Sequence, residues 1–567
     1  MFTLGICNAE TSSACLFRDG ILISAVSEER FSRIKMDESF PKKSIKYILS
    51  ENQLNINQLD NVAYSWAKGF DQSLLANYTK RSAELFKKDK KSFEIFQERI
   101  NIEIERDSIK KKEFWDWSKR NLNQSLYNRI FCCYHHEAHA YSASLLSHFN
   151  EGIVLVADGR GDFESTTIWK FNRSSKKPLQ KLYSNTSSDS LGFFYGRITG
   201  LLGFKPCRHE GKITGLAARG NPNNALYLMK EMIDFHDGEI KANLSKYYIP
   251  FYTNYSSELI EKVSSHSKED IAAAAQLHLE NLLVKLINHT YKKHRLNGMP
   301  LMLAGGVFGN VKANQILKEL EIVNDAFVQP QMNDGGLCLG VAAAAQHFEN
   351  ISIKPLQNVY LGPNPRMNKF TNFNDLLHIE ELEEPIEKII SHLKQNKVIG
   401  LVRGRMEFGP RALCHRSIIY KTSDRSANDW LNNRMQRTEF MPFAPVMTNQ
   451  QAKKSFPKFE EKDITLKFMT ATLEANDDFC KRCPAVAHID KTARPQIIYQ
   501  EEDPFMWNLL TKWEEVSGEY SLINTSFNAH EEPIVCSEDD AIKGLLNQTI
   551  DILIINSIQI TLTKSEK

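Results

Sequence analysis

Residues 2–29 read FTLGICNAETSSACLFRDGILISAVSEE. The runs at 2–7 and 14–18 read as strands. Asp19-Gly20 is a hairpin-turn dipeptide leading into a third apolar run. A polar loop, Asn8 to Ser13, separates the first two runs. A hairpin start with such a loop can hold a phosphate at the strand end.

Further along, IVLVA (153–157) is a buried strand feeding the turn Asp158-Gly159-Arg160-Gly161-Asp162. LMLAGGVFGN (301–310) and NDGGLCLGVAAAAQH (333–347) add glycine turns at Gly305-Gly306 and Gly335-Gly336. Exposed backbone N–H groups in such turns can cradle phosphate oxygens. One loop is weak evidence. Three in one half of the chain, after a hairpin start, point to an actin or sugar-kinase type of nucleotide cleft. Neither a Walker A pattern nor a dinucleotide fingerprint is present. Residues 270–294 form an amphipathic helix, acidic at its start and basic at its end. Residues 78–122 are densely charged, with Leu85, Phe86, Phe93, Phe96, Ile100 and Ile104 at helical spacing; exposed helices with a buried stripe are expected. Pro355, Pro363 and Pro365 mark a linker, and a fresh segment begins near Glu381. The sequence shows no internal repeat.

A chain of 567 residues needs two or more domains. With 71 basic and 69 acidic side chains, the net charge is +2, which marks neither a nucleic-acid nor an anionic-membrane binder. The N-terminus lacks the pattern of a signal peptide, and no apolar run is long enough to span a bilayer. Ten scattered cysteines fit a reduced, cytoplasmic setting. Cys480 and Cys483 form a CxxC without a second pair, so two ordinary thiols are expected rather than a zinc site.

Chemistry concentrates in three places. His135 and His139 stand four residues apart, on one face of a helix, where two imidazoles can share a metal ion. The bland alternative is a set of surface histidines. Asp158 and Asp334, each at a glycine turn, could add oxygen ligands; such mixed ligation suits Fe(II), Mn(II) or Zn(II). Arg403, Arg405, Arg411, Arg416, Arg434, Arg437 and Arg494 lie among apolar residues, unlike a solvated charge run, so anionic groups are the expected partners. Asn524-Thr525-Ser526-Phe527-Asn528 adds short polar side chains suited to a small planar ligand, or is an ordinary polar turn.

Several motifs together resemble the NodU/CmcH-type carbamoyltransferases. The matching stretches are SEERFSRIK (27–35), HHEAHAYSA (135–143), VLVADGRGD (154–162), EGKITGLAARG (210–220), LAGGVFGNVKAN (303–314), NDGGLCLG (333–340), RGRMEFGPRAL (403–413), CPAVAHIDKTARPQ (483–496) and NTSFNAHEEPIVCS (524–537). They run in family order over nearly the whole chain. The resemblance implies an α/β, α+β protein of two domains. Residues 1–355 would be an actin-like (ASKHA) double subdomain for carbamoyl transfer. Residues 356–380 would be a linker, and 381–567 a YrdC-like twisted mixed sheet that forms carbamoyl-adenylate. It further implies ATP and carbamoyl phosphate as co-substrates and a divalent metal, typically iron as Fe(II), with Mg as an accompaniment to ATP. The acceptor would be a hydroxyl of a small molecule or sugar, and a homodimer is the family's inclination. Carried over by motif, the metal ligands are His135, His139, Asp158 and Asp334. Gly159, Glu210, Lys212, Gly305, Gly306 and Asn310 line the N-terminal nucleotide site. Arg405, Glu407, Arg411, Arg416, Arg437, Arg494, Asn524, Ser526 and Asn528 line the activation site, with Arg411 and Arg494 acting on phosphate.

Four positions depart from the family's pattern. Glu10-Thr11 stands where His-Asp is usual, so the base for the acceptor hydroxyl is Glu10 or His136. GPRALCHRS carries Cys414 and His415 in place of Gly-Asn. MQRTEFMPFAP (435–445) has Met435 and Met441 for a lysine and an arginine but keeps Arg437. Lys491 replaces a glycine. An actin-fold kinase would explain the hairpin start and glycine loops but not the histidine pair. A non-catalytic binding protein would explain the departures. The sequence leaves the acceptor open.

Overall fold

The structure, a computed structural model, describes all residues except 87, 246, 250–254, 367–375, 438–440, 462 and 564–567. Part of the expected linker 356–380 and part of the 435–445 stretch therefore lie outside the described residues. The chain divides into two units. The first comprises Met1–Glu28 and Glu38–Gln357; the second comprises Glu29–Asp37 and Asn358–Lys567. Both are mixed α/β.

The first unit holds two five-stranded sheets. In one, strands Phe2–Cys7, Ser13–Arg18 and Ile21–Ser27 form an antiparallel meander. Asn61–Tyr64 and then Phe131–Cys132 add in parallel beside Phe2–Cys7. The hairpin at Asp19-Gly20 has φ of 50° and 81°, the left-handed backbone that this dipeptide tolerates. The second sheet repeats the scheme. Glu151–Gly161, Glu164–Asn172 and Leu179–Thr186 form the meander, and Met299–Ala304 and Val323–Val328 add in parallel beside Glu151–Gly161. The topology is thus duplicated where the sequence shows no repeat, because strand order is preserved by burial pattern rather than by residue identity.

Ile153, Val154, Leu155, Val156 and Ala157 are all fully buried, so this strand is covered on both faces, as its unbroken apolar run requires. Helices His135–Leu146 and Leu337–Phe348 pack tightly together: a Cβ on Gly340 would sit 1.8 Å from the Ala138 carbonyl oxygen. Gly340 is therefore a packing glycine. Helix Lys268–His294 is capped by Ser267, whose hydroxyl accepts the Asp270 N–H.

Two expectations need correction. The buried stripe of the charged region includes Leu85, Phe96 and Ile100, but Phe86 is exposed. On the 32-residue helix Lys90–Asn121 the stripe continues through buried charged residues, Glu103, Asp107 and Lys111. The expected glycine turn at 158–162 is not a turn; strand Glu151–Gly161 runs through it, and the reversal falls at Asp162-Phe163, with φ of 48° and 71°.

The second unit is built on an eight-stranded mixed sheet. Its order is Leu377–Glu381, Ile558–Leu562, Ile552–Ile555, Ile399–Val402, Arg416–Lys421, Leu522–Ser526, Ala444–Thr448 and Gln496–Ile498. Alternate residues serve two cores: Val402, Leu553 and Ile555 face one, and Ile399, Leu401, Ile552 and Ile554 the other. Each fully buried Leu or Ile contributes roughly 1.5–3 kcal/mol.

Candidate functional site

In the first unit, one helix and two strand ends converge. Glu137 accepts the Tyr134 N–H at 3.1 Å and Asp162 accepts the His135 N–H at 2.8 Å, so two orphan donors of the helix N-terminus are satisfied. This fixes His135 and His139, both buried, with their rings toward the strand end. His135 Nε2 lies 3.5 Å from Asp158 Oδ2 and 3.4 Å from Asp334 Oδ1; His139 Nε2 lies 3.2 and 3.5 Å from the same atoms. The four ligand atoms fall within 4.8 Å of one another and form a candidate metal-binding group.

The surroundings aim these groups. Asp158 Oδ1 accepts the N–H of Gly159 at 2.7 Å and of Gly306 at 3.3 Å, leaving Oδ2 to the histidines. Asp334 Oδ2 accepts the Glu10 N–H at 3.2 Å, leaving Oδ1 to them. Gly305 has φ 103°, and a Cβ there would meet the Ala157 carbonyl at 2.2 Å. Thus Gly159 and Gly306 orient the Asp158 carboxylate, while the Gly305 N–H donates to the Met332 carbonyl. Burial opposes a charge on His135, but Asp334 and Asp158 outweigh it and push it up to about 10. Burial alone would raise Asp334; His135 and His139 hold it well below the usual carboxylate range.

The two residues proposed as base sit differently. Glu10 is half-buried in the loop after the first strand; burial, then Asp334 and Asp158, push its carboxyl up to about 8. His136 is fully buried, with Nδ1 3.1 Å from Thr167 Oγ1, and burial together with His135 and His139 holds it well below its ordinary value. The structure turns it toward strand Glu164–Asn172. Glu210 opens helix Glu210–Ala217 and accepts the Cys207 N–H at 2.7 Å. Lys212 is buried, with Nζ 5.8 Å from the Phe204 ring centre. Asn310 caps Ala313 at 3.2 Å and bonds Gln276, which also accepts the Tyr195 hydroxyl at 2.6 Å.

In the second unit the arginines divide by what they touch. Arg416 is fully buried and donates to the carbonyls of Arg403, Gly404, His415 and Pro363 at 2.8–3.2 Å. Arg405 donates to the carbonyls of Gly362 and Leu361. Arg403 pairs with Asp503 and Arg434 with Asp551. Arg437 donates to Thr525 Oγ1, Ser526 and Asn528. These guanidinium contacts brace loops. Arg411 and Arg494 are half-buried, and burial pulls Arg411 down to about 10. Glu407 accepts the N–H of Leu413 at 2.6 Å and of Arg416 at 3.2 Å, bracing the same loop. Asn524 donates to Gln496 Oε1 at 2.6 Å and to the Ala412 carbonyl at 3.1 Å.

Sequence reading missed Gly161, Asp162 and Lys111. A Cβ on Gly161 would strike the His135 ring, and Lys111 lies 3.5 Å from Asp162. The GRGD stretch carries the signal, though its two glycines suggest a turn. Its Arg160 instead pairs with Asp107 at 2.7 and 3.0 Å. Cys414 and Lys491 both hold positive φ, 69° and 60°, which accounts for the family's usual glycine at these positions but not for its replacement here. All ten cysteines are free, Cys480 and Cys483 among them. Among the described residues no helix is long and apolar enough to cross a membrane.

A two-unit α/β chain with paired histidines and carboxylates in one unit and buried arginines in the other has the make-up of a group-transfer enzyme. The chain belongs to the carbamoyltransferase family: the family's N-terminal region, described as "Carbamoyltransferase N-terminus", matches residues 3–344, and "Carbamoyltransferase C-terminus" matches 390–562. It is a carbamoyltransferase. An uncharacterised protein of Methanocaldococcus jannaschii is 32% identical over 99% of this chain and 100% of its own length. Nodulation protein NolNO of Sinorhizobium fredii is 28% identical over 96% of this chain and 78% of its own. A crystal structure of full-length HypF, 15% identical, covers 62% of this chain and 56% of that one with a TM-score of 0.32, a likeness that carries no argument.

Proposed function

We propose that this chain is an O-carbamoyltransferase with its two half-reactions in separate units. The observation that carries the reading is the convergence of His135, His139, Asp158 and Asp334 within 4.8 Å. The duplicated sheet topology of the first unit supports an actin-like fold for it, and the mixed eight-stranded sheet is offered as the YrdC-like unit. In the second unit, carbamoyl phosphate gives phosphate and carbamate with water. Carbamate oxygen then attacks the α-phosphorus of ATP, the bond to pyrophosphate breaks, and carbamoyl-adenylate forms. Arg411 and Arg494 face like-charge repulsion in this step, and fixed guanidinium groups offset it in the transition state.

In the first unit, the acceptor hydroxyl oxygen attacks the carbamoyl carbon and AMP leaves. Glu10 takes the proton. His135, His139, Asp158 and Asp334 would hold a divalent ion: His135 Nε2, which faces both carboxylates, is buried without a hydrogen-bond partner among the described residues, and the donor set of two imidazoles and two carboxylates fits Fe(II). Such an ion supplies Lewis-acid stabilisation of phosphate charge when bound. The reading extends to a hydroxylated small molecule or sugar as acceptor, a cytoplasmic location and a homodimer.

The test has two readouts. Pyrophosphate should be released from ATP only when carbamoyl phosphate is present, and incubation with hydroxylated metabolites should add a carbamoyl mass to one of them. Release of ADP instead, or pyrophosphate release indifferent to carbamoyl phosphate, refutes the reading.

A further inference from the structure

The SEERFSRIK stretch supplies nine residues, Glu29–Asp37, to the second unit, although the chain on both sides of them belongs to the first. Within that unit Arg30 is 5% exposed and its Nη2 donates to the Gly409 carbonyl at 3.0 Å. Glu29 steadies Arg30 from 3.1 Å, and Glu29 also accepts the Met36 N–H at 2.7 Å, closing the segment on itself. Phe31 packs against Met406, Ala412, Ile534 and Cys536. Arg33 forks onto two consecutive carbonyls, Pro533 and Ile534, at 2.8 Å each, with Asp540 at 3.4 Å.

These contacts fall on two segments. Gly409 stands two residues before Arg411 and has φ 149°, a backbone only glycine adopts with ease. Pro533 and Ile534 follow the strand end that carries Asn524 and Ser526 and the bend that carries Asn528. One short segment from the N-terminal part of the chain thus holds the backbone of both stretches that carry the proposed activation residues.

We infer that Arg30 and Arg33 are positioning residues for carbamoyl-adenylate formation, acting through the Gly409 and Pro533-Ile534 carbonyls. The inference rests on the activation chemistry proposed above. A buried carbonyl that loses its charged donor must find another partner, and the loop moves to do so. Arg411 then leaves the geometry in which it meets phosphate, and a shift of about 1 Å there costs on the order of 100-fold.

The experiment uses the full chain, with Arg30→Gln, Arg30→Lys and Arg33→Lys. Carbamoyl-phosphate-dependent pyrophosphate release is measured as KM for carbamoyl phosphate and kcat, alongside melting temperature and bound metal. Arg30→Gln should lower kcat/KM about 10- to 100-fold with metal content at the parent's level. Arg30→Lys should recover most of the loss, since one carbonyl needs one charged donor. Arg33→Lys should lose several-fold, because a lysine cannot span two carbonyls. Parent-like KM and kcat in Arg30→Gln overturns the inference and leaves the activity standing. If Arg30→Gln fails to fold, Arg33→Lys decides, and parent-like kinetics there overturns it. If the parent itself releases no pyrophosphate in response to carbamoyl phosphate, the proposed activation chemistry falls and takes this inference with it.

Discussion

A Cβ placed on Gly161 would lie 2.2 Å from the ring of His135, 26 residues earlier in the chain. The clash is with a buried imidazole whose own backbone N–H is held by Asp162, so the ring and not the main chain must swing away. Gly161→Ala should therefore act on the candidate metal group though it changes no ligand. Elemental analysis should find about one divalent ion per parent chain, and Gly161→Ala should bind it at least about 10-fold more weakly. His135→Ala and Asp158→Ala should lose it outright. Carbamoyl-phosphate-dependent pyrophosphate release, assigned to the other unit, should survive all three. Parent-level metal retention in Gly161→Ala shows that the ring has room to move and that the glycine is incidental.

Arg411 and Arg494 carry the next prediction. Burial pulls Arg411 down, and its loop is braced by Glu407, which accepts the Leu413 N–H. Arg411→Ala should cost roughly 100-fold or more in pyrophosphate release. Arg411→Lys and Arg494→Lys should fail almost as badly, because a point charge does not replace a bidentate fork. Near-normal release by both lysine variants removes these residues from the activation step.

His415 stands where the family usually has asparagine. Its ring stacks on Tyr360 with centres 3.7 Å apart, and its Nδ1–H donates to the Arg405 carbonyl at 2.6 Å. Burial, then Arg403, holds it well below its ordinary value. The sign follows from proton counting. Below about pH 6.5 the unfolded chain takes up a proton that the folded chain refuses. Stability should fall with falling pH by up to about 1.4 kcal/mol per unit from this group, and the loss is absent above about pH 6.5. Denaturant midpoints at pH 7.5 and pH 5.5 should lie closer together in His415→Asn than in the parent. An unchanged spacing means that His415 stays neutral in both states or charged in both.

How far the sequence could lead is visible in the same residues. The histidine pair and Asp158 were legible because helical periodicity and a strand end are local facts. The duplicated sheet was implied only by the family resemblance, since two sheets share an order of strands without sharing residues. The arginines were legible as buried, but Arg405 and Arg416 met carbonyls, and only the folded loop decides whether a guanidinium finds main chain or anion. Met435 replaces a usual lysine and is fully buried in a core, so that substitution became packing. The placement of Glu29–Asp37 in the second unit had no local signal at all.

Glu10 carries the last prediction. Transfer must remove a proton from a hydroxyl whose own pKa lies far above neutral, and a positioned base contributes typically ~100- to 10,000-fold to such a step. Glu10 stands in the loop where the family's histidine is usual, and its own backbone N–H reaches Asp334, which places it beside the candidate metal group. Burial and the carboxylates of Asp334 and Asp158 push it up to about 8, which makes it a stronger base than a solvated glutamate. His136, the other candidate, is sealed from solvent against Thr167 and held neutral by burial. Glu10→Gln keeps the shape and removes the proton acceptor. It should form adenylate at the parent rate, read as pyrophosphate release, while carbamoyl transfer falls by about 100-fold or more. Glu10→His should restore part of the transfer. The two readouts separate a lost base from a damaged fold, because a damaged fold lowers both. Transfer at the parent rate by Glu10→Gln, together with its loss in His136→Ala, would place the base at His136 and leave Glu10 an ordinary loop residue.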